Sequence, residues 1–249
     1  HSVRMRTELQ AARDAQMAIM PQVEPEVEGF EVSGLCIPAH EVGGDFFDYF
    51  WLEGERRHLC VVVGDVAGKA MRAAMAALMS DGMIFSRVRQ GGDIEEIMGS
   101  LNRSIHEKIG KRMFTALCAM VLNPETGELT FANAGLCEPL MKSGAGVEYL
   151  TSPGATLPLG ARADTVYQRR TVHLAGGDVI VVFSDGIPEA RSHSGGLYGY
   201  DRPRDLLARL DVSALSAENI RDTLIQDARR FAGGSHHSDD MTLVVIKAK

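Results

Sequence analysis

The chain has 249 residues, 45% of them hydrophobic and 24% charged, enough apolar material for one large domain or two small ones. That composition excludes a disordered chain, a collagen and a coiled-coil rod. Its 26 Lys+Arg against 33 Asp+Glu leave a net charge of -7, which repels phosphate backbones and makes nucleic acid a poor partner. No apolar run approaches the roughly 18 residues a membrane helix needs, so no span is expected.

His1 and Ser2 stand where an initiator Met or an apolar leader would, and the stretch reads as a fragment that something precedes. Met5, Leu9, Ala12, Gln16 and Ile19 recur at spacings of 4, 3, 4 and 3 up to Pro21, the rhythm of a coiled-coil seam. Residues 1–21 are therefore a helical lead-in, either lying on the domain or ending a signalling helix from an upstream module. Short β-rich runs follow at 30–37, 46–52 and 58–63. Beyond Gly68 the pattern turns helical. Met71, Ala74, Met75, Leu78, Met79 and Gly82 share one stripe, expected to be core filling, and Ala73, Ala76 and Ala77 keep the neighbouring faces slim.

Asp93 with Glu96 opens a second helix carrying Ile94, Ile97, Met98, Leu101 and Ile105 on its inner face. The runs 115–122 and 128–134 flank Asn-Pro-Glu-Thr-Gly and read as a hairpin. Further strands are predicted at 139–141, 147–150, 165–173 and 178–183, helices at 204–210 and 216–231, and a last strand at 241–247. Strands in runs with helices in pairs define an α+β domain over residues 25–249, without internal repeats. Cys36, Cys60, Cys118 and Cys137 each lie in an apolar run and lack C-x-x-C spacing, so buried thiols in a reducing compartment are expected.

The chemistry lies in aspartates at strand ends. Asp45 follows Val42-Gly43-Gly44, Asp65 follows Val61 to Gly64, Asp185 follows Val181 to Ser184, and Asp239 with Asp240 precedes the final strand. Singly, each reads as a turn residue. Together, four such sites can converge at one end of a core, where their repulsion demands cations, and hard oxygen donors suit Mg²⁺ or Mn²⁺. Charges of -4 and +4 would balance in a two-metal centre acting at phosphorus. The adjoining Gly43, Gly44, Gly64 and Gly186 would let backbone approach an ion closely.

The strings Val42-Gly43-Gly44-Asp45-Phe46-Phe47-Asp48, Gly64-Asp65-Val66-Ala67-Gly68-Lys69, Met113-Phe114-Thr115, Asn133-Ala134-Gly135, Ser184-Asp185-Gly186-Ile187-Pro188-Glu189-Ala190 and Asp239-Asp240-Met241-Thr242-Leu243-Val244-Val245 occur in an order that resembles the SpoIIE-type branch of the bacterial PPM metal-dependent serine/threonine protein phosphatases. The resemblance implies a four-layer α-β-β-α sandwich of two antiparallel sheets flanked by helices, and hydrolysis of phosphoserine or phosphothreonine on a protein. It implies two Mn²⁺ or Mg²⁺ ions, with Asp45 as first acidic ligand, Asp65 as bridging carboxylate beside the Val66 carbonyl, Asp185 as the ligand of the S-D-G motif, and Asp239 as the last. It further implies a STAS-domain anti-sigma-factor antagonist as substrate and an upstream sensor in the same chain; the heptad rhythm of the lead-in points to a homodimer through the N-terminal helix, and the thiols to a cytoplasmic location whether or not the full-length parent is membrane-anchored.

Departures from the family pattern are Leu136 after Gly135, where His is common, and Ala70 after Lys69, where Gly is common; neither removes a ligand position. Lys69 and Arg72 are candidates for gripping phosphate, and His236 and His237, less so His40, for protonating the leaving oxygen. Residues 191–202 have the composition of a loop beside Asp185, either a substrate flap or inert surface. Two other functions compete: a phosphatase-fold module that binds without turnover, and a phosphohydrolase acting on a small metabolite. An aspartyl-phosphate receiver is disfavoured because the hairpin-rich middle lacks βα alternation.

Overall fold

A computed structural model describes residues 2–52, 58–68, 71–109, 113–234 and 239–249. In chain order the elements are α1 (Ser2–Ile19), β1 (Phe30–Ile37), β2 (Asp45–Leu52), β3 (His58–Val66), α2 (Met71–Val88), α3 (Ile94–Ile109), β4 (Thr115–Asn123), β5 (Glu128–Ala134), β6 (Leu140–Ser143), β7 (Gly146–Tyr149), β8 (Arg170–His173), β9 (Val179–Phe183), α4 (Asp201–Arg209), α5 (Ala217–Phe231) and β10 (Met241–Ala248). The strands form two sheets, ordered β1-β10-β9-β6-β7 and β2-β3-β4-β5-β8, with antiparallel pairing throughout. Helices α2 and α3 pack on the second sheet, α4 and α5 on the first, giving the expected α-β-β-α sandwich.

Central strands covered on both faces read as unbroken apolar runs: all of Val179–Phe183 and all of Met241–Ala248 are buried. The edge strand β8 instead alternates between half-buried and exposed positions, because only one of its faces is covered. The predicted strand at 165–173 is shorter than expected. Asn102 of α3 donates to the carbonyls of Arg162 (2.7 Å) and Ala163 (3.2 Å) and accepts from Gly160 N (2.8 Å), so the preceding segment bonds to a helix instead of the sheet. All four cysteines are free and buried. Among the described residues no helix is long and apolar enough to cross a membrane.

The stripe expected to bury α2 is corrected by the structure. Met71, Met75 and Met79 are exposed, Met75 by 65%, whereas Ala73, Ala74, Ala76, Ala77, Ser80, Asp81, Ile84 and Val88 face the sheet. Small side chains let the helix axis approach β2 and β3 closely, and a methionine row on that face would hold it off. In α1 the predicted seam splits: Gln16 is buried against the domain, while Ile19 is 49% exposed. For Met5 and Leu9 only the helix itself is described.

The close approach of α2 to β2 traps a pair of acids. Asp81 of α2 hydrogen-bonds Asp48 of β2, and one Asp81 carboxyl oxygen is buried without a partner among the described residues. Burial first, then the charge of Asp48, raises Asp81 from 3.8 to about 7. Burial raises Asp48 to about 6. Since the folded values exceed the unfolded ones, the carboxyls favour the native state below pH 4 and lose that contribution as pH rises through 6 and 7. Asp81→Asn is therefore expected to be more stable than the parent at pH 8, by about 2 kcal/mol, with the advantage vanishing below about pH 4. Urea unfolding of both proteins across this range measures the difference.

Candidate metal and phosphate site

The register of β2 on β3 places Asp45 directly opposite Asp65, at the end of the pair where Val66 N donates to Gly44 O at 3.1 Å. In the other sheet β9 and β10 end side by side, so Asp185 after the one and Asp239 before the other emerge together. The two sheets meet at this edge through Asp45. Its Oδ2 accepts from Ser184 Oγ (2.5 Å) and from Thr242 Oγ1 (2.6 Å), which follow β9 and lie in β10. Ser184 Oγ also accepts from Thr242 N at 3.0 Å, fixing that hydroxyl so that its proton points at Asp45.

Asp240 ties the loop ahead of β2 to the same corner. Its Oδ1 accepts from Ala39 N (2.8 Å), and its Oδ2 from Gly44 N (2.8 Å) and Asp45 N (3.3 Å). Three glycines are required by these approaches, and a Cβ on Gly43 would collide with Asp240 Oδ2. A Cβ on Gly186 would collide with the carbonyl oxygen of Asp240, and one on Gly44 would lie 2.6 Å from the Val66 carbonyl. Gly64 has another reason: it makes room for the Phe46 ring, not for an ion.

Burial of these carboxylates, and their mutual repulsion, is written into their proton affinities. Asp45 is pushed well up by burial and by Asp65 and Asp240, against the two hydroxyls that favour its anion. Asp65 rises from 3.8 to about 7, through burial and then the charges of Asp185, Asp239 and Asp240. Asp185 rises to about 6 through burial, Asp239 and Glu189, and its carboxyl hydrogen-bonds that of Asp65. Protein alone therefore retains protons among these acids near neutral pH. Among the described residues, no group of three or more His, Cys, Asp or Glu is gathered closely enough to hold a cation as it stands.

Other residues singled out in the sequence fare differently. Lys69, His236 and His237 lie outside the described residues. His40 and Arg72 are exposed. Asn133 braces the turn that follows β5, donating to Leu136 O (3.0 Å) and accepting from Leu136 N (2.9 Å), so the departure at Leu136 places a buried apolar residue in that turn. Sequence reasoning missed the bracket role of Asp240 and the hydroxyls of Ser184 and Thr242; the adjacency of Ser184 to Asp185 and of Thr242 to the acidic pair was the available signal. Gln16 was missed as well. From α1 it donates to Gly43 O (2.6 Å) and accepts from Gly43 N (3.2 Å), two residues ahead of Asp45.

Two five-stranded sheets between helix pairs, with acids converging on one edge, define a phosphatase domain of the PP2C-like class. The family model for Stage II sporulation protein E (SpoIIE) matches residues 55–249, and the chain belongs to that family. It is 25% identical to phosphoserine phosphatase RsbU of Bacillus subtilis over 248 residues, covering 98% of this chain and 71% of RsbU. Among solved structures, the SiaA-PP2C domain of Pseudomonas aeruginosa superposes with a TM-score of 0.83 at 22% identity, covering 100% of this chain and 98% of that one. The RsbU and RsbW domains of Rv1364c from Mycobacterium tuberculosis give 0.75 at 27% identity, and the match spans 91% of this chain and 62% of theirs.

Asp240→Asn replaces one acceptor oxygen of the bracket with a donor that faces an N–H. It is expected to destabilise the domain by about 1.5–3 kcal/mol, the range for hydrogen bonds to a charged acceptor. Urea titration of the variant checks this, and an unchanged midpoint would show that the bracket carries no stability.

Proposed function

We propose that this domain hydrolyses phosphoserine or phosphothreonine on a partner protein, with a STAS-domain regulator as the substrate class. The observation that carries the reading is the convergence of Asp45, Asp65, Asp185 and Asp239, each from a different strand end, on one edge of a PP2C-like sandwich. Kinship with phosphoserine phosphatase RsbU supports the reaction class.

The donor chemistry suits two divalent cations, whose binding would draw the acids closer than they now stand. Hard carboxylate oxygens that raise one another's pKa, with the Val66 carbonyl beside Gly44, form a site whose repulsion Mn²⁺ or Mg²⁺ would relieve. Asp45, Asp65, Asp185, Asp239 and the Val66 carbonyl would hold the pair, which when bound supplies an activated water for in-line attack at phosphorus. The chain's own part is preorganisation. Ser184 and Thr242 hold Asp45 at the sheet junction, Asp240 fixes the loop that carries it, and the Asp65–Asp185 hydrogen bond keeps both acids at hand until their protons leave.

Because those protons must leave, divalent-ion uptake is expected to release protons and to tighten at least about tenfold between pH 6 and pH 8. Calorimetric Mn²⁺ titrations in two buffers of different ionisation enthalpy measure both effects. Asp65→Asn or Asp185→Asn is expected to abolish release of phosphate from a phosphoserine protein while the fold survives, since no cavity is created. Turnover at the parent rate in either variant, or after chelation, would defeat the reading, and equal efficiency on a sugar phosphate would favour the metabolite hydrolase.

The lead-in belongs to this proposal as its control element. One side of α1 reaches the loop of Asp45 through Gln16, while Ile19 remains exposed for an upstream module or a second copy. A shift of the helix would then move Gly43. Gln16→Ala is expected to weaken Mn²⁺ binding and phosphatase activity by about tenfold, the loss of two buried hydrogen bonds at roughly 0.5–1.5 kcal/mol each. Enforced parallel dimerisation of residues 1–21 is expected to change the parent rate and leave the Gln16→Ala rate unmoved. Parallel responses in both proteins would make the lead-in a passive helix.

A further inference from the structure

The 191–200 loop and the C-terminal turn of α5 form one joint at the edge that carries the acids. Tyr198 donates to Asp227 Oδ2 at 2.7 Å and packs on Phe231 with ring centroids 5.5 Å apart. The Arg202 guanidinium lies 4.5 Å over the Phe231 ring. The ring of His193 packs on Gly233, whose φ of 85° and lack of a Cβ admit it. Beside this joint runs a groove of about 610 Å³, lined by Gln226, Arg229, Arg230, Gly233 and Gly234.

The groove is basic in a chain of net charge -7. Against Arg202, Arg229 and Arg230 stands Asp227, which already accepts from Tyr198 and lies 4.0 Å from Arg230. Arg229 Nε is buried and lacks an acceptor among the described residues. Arg230 keeps 78% of its side chain exposed. Two arginines in a last helical turn offset the helix dipole. That alone does not account for a third guanidinium held over Phe231 from another element. Guanidinium forks bind carboxylates two-pronged, so the exposed Arg230 beside Arg229 suits a planar anion in this groove.

Position supplies the rest. Gly234 precedes Asp239 by five residues, which at no more than about 3.6 Å per residue keeps the groove within roughly 18 Å of the acids. A peptide whose phosphate lies at Asp65 and Asp239 can reach the groove with a flank of about five residues.

We propose that the Arg229–Arg230 groove docks an acidic, Asp/Glu-rich stretch of the phosphoprotein substrate, within about five residues of the phosphorylated side chain. The inference rests on the phosphoprotein reading above and deepens it. The groove supplies attraction that the chain's net charge withholds, and selects among phosphoproteins by what flanks the phosphate.

Two synthetic phosphoserine peptides of equal length test it, one with Asp/Glu flanks and one with Lys flanks. Each carries a fluorophore, so that binding by anisotropy and phosphate release with Mn²⁺ are both read on the intact domain. The acidic peptide is expected to bind at least tenfold more tightly at low salt, with the preference collapsing at high salt. Arg230→Glu, a change at an exposed side chain, is expected to abolish or invert the preference, and Arg230→Lys to retain most of it. Equal binding of the two peptides by the parent, or a preference that survives Arg230→Glu, would overturn the proposal. Binding of the acidic peptide without turnover would count against the phosphatase reading and leave the groove standing.

Discussion

Like charges taken out of water in one place constrain everything else in this domain. Asp45, Asp65 and Asp185 are each raised by burial, and each again by neighbouring carboxylates. Such a cluster survives only where donors are fixed or protons retained. The fold provides both: hydroxyls from Ser184 and Thr242 reach across from one sheet to an acid of the other, and Asp65 shares a hydrogen bond with Asp185. The junction of the sheets and the candidate active site are thus one structure, and neither can shift without the other.

Asp240 shows how one carboxylate can serve geometry while its neighbours serve chemistry. Asp239 and Asp240 are adjacent, yet Asp240 spends both oxygens on backbone N–H groups of residues about two hundred positions earlier. That bracket ties the loop ahead of β2 to the edge where β9 and β10 end. The closed corner also explains where glycine is needed: Gly186 and Gly44 stand where main chains must touch.

Helix α2 illustrates a choice between two plausible faces. Both its methionine row and its alanine row have helical spacing, and hydropathy favours the methionines. The sheet takes the alanines, because a slim face brings the backbone of α2 close enough to bury Ser80, Ile84 and Val88. The same closeness traps Asp81 against Asp48, which makes the helix–sheet contact sensitive to pH around 6 to 7.

What the sequence determined by itself is the set of elements, the sandwich class and the strand-end aspartates, since each is a local pattern: runs of valine for covered strands, Asp-Gly pairs at their ends, Asn-Pro-Glu-Thr-Gly for the hairpin. The ordered motifs by themselves carry the family resemblance. Tertiary structure alone decided which face of α2 is buried, that α1 engages Gly43 through Gln16, that Asp240 is a bracket, and that Gly160, Arg162 and Ala163 bond to α3 while only Arg170–His173 joins the sheet. Each of these depends on which partner stands opposite a residue far along the chain, and spacing within a segment carries no record of that partner.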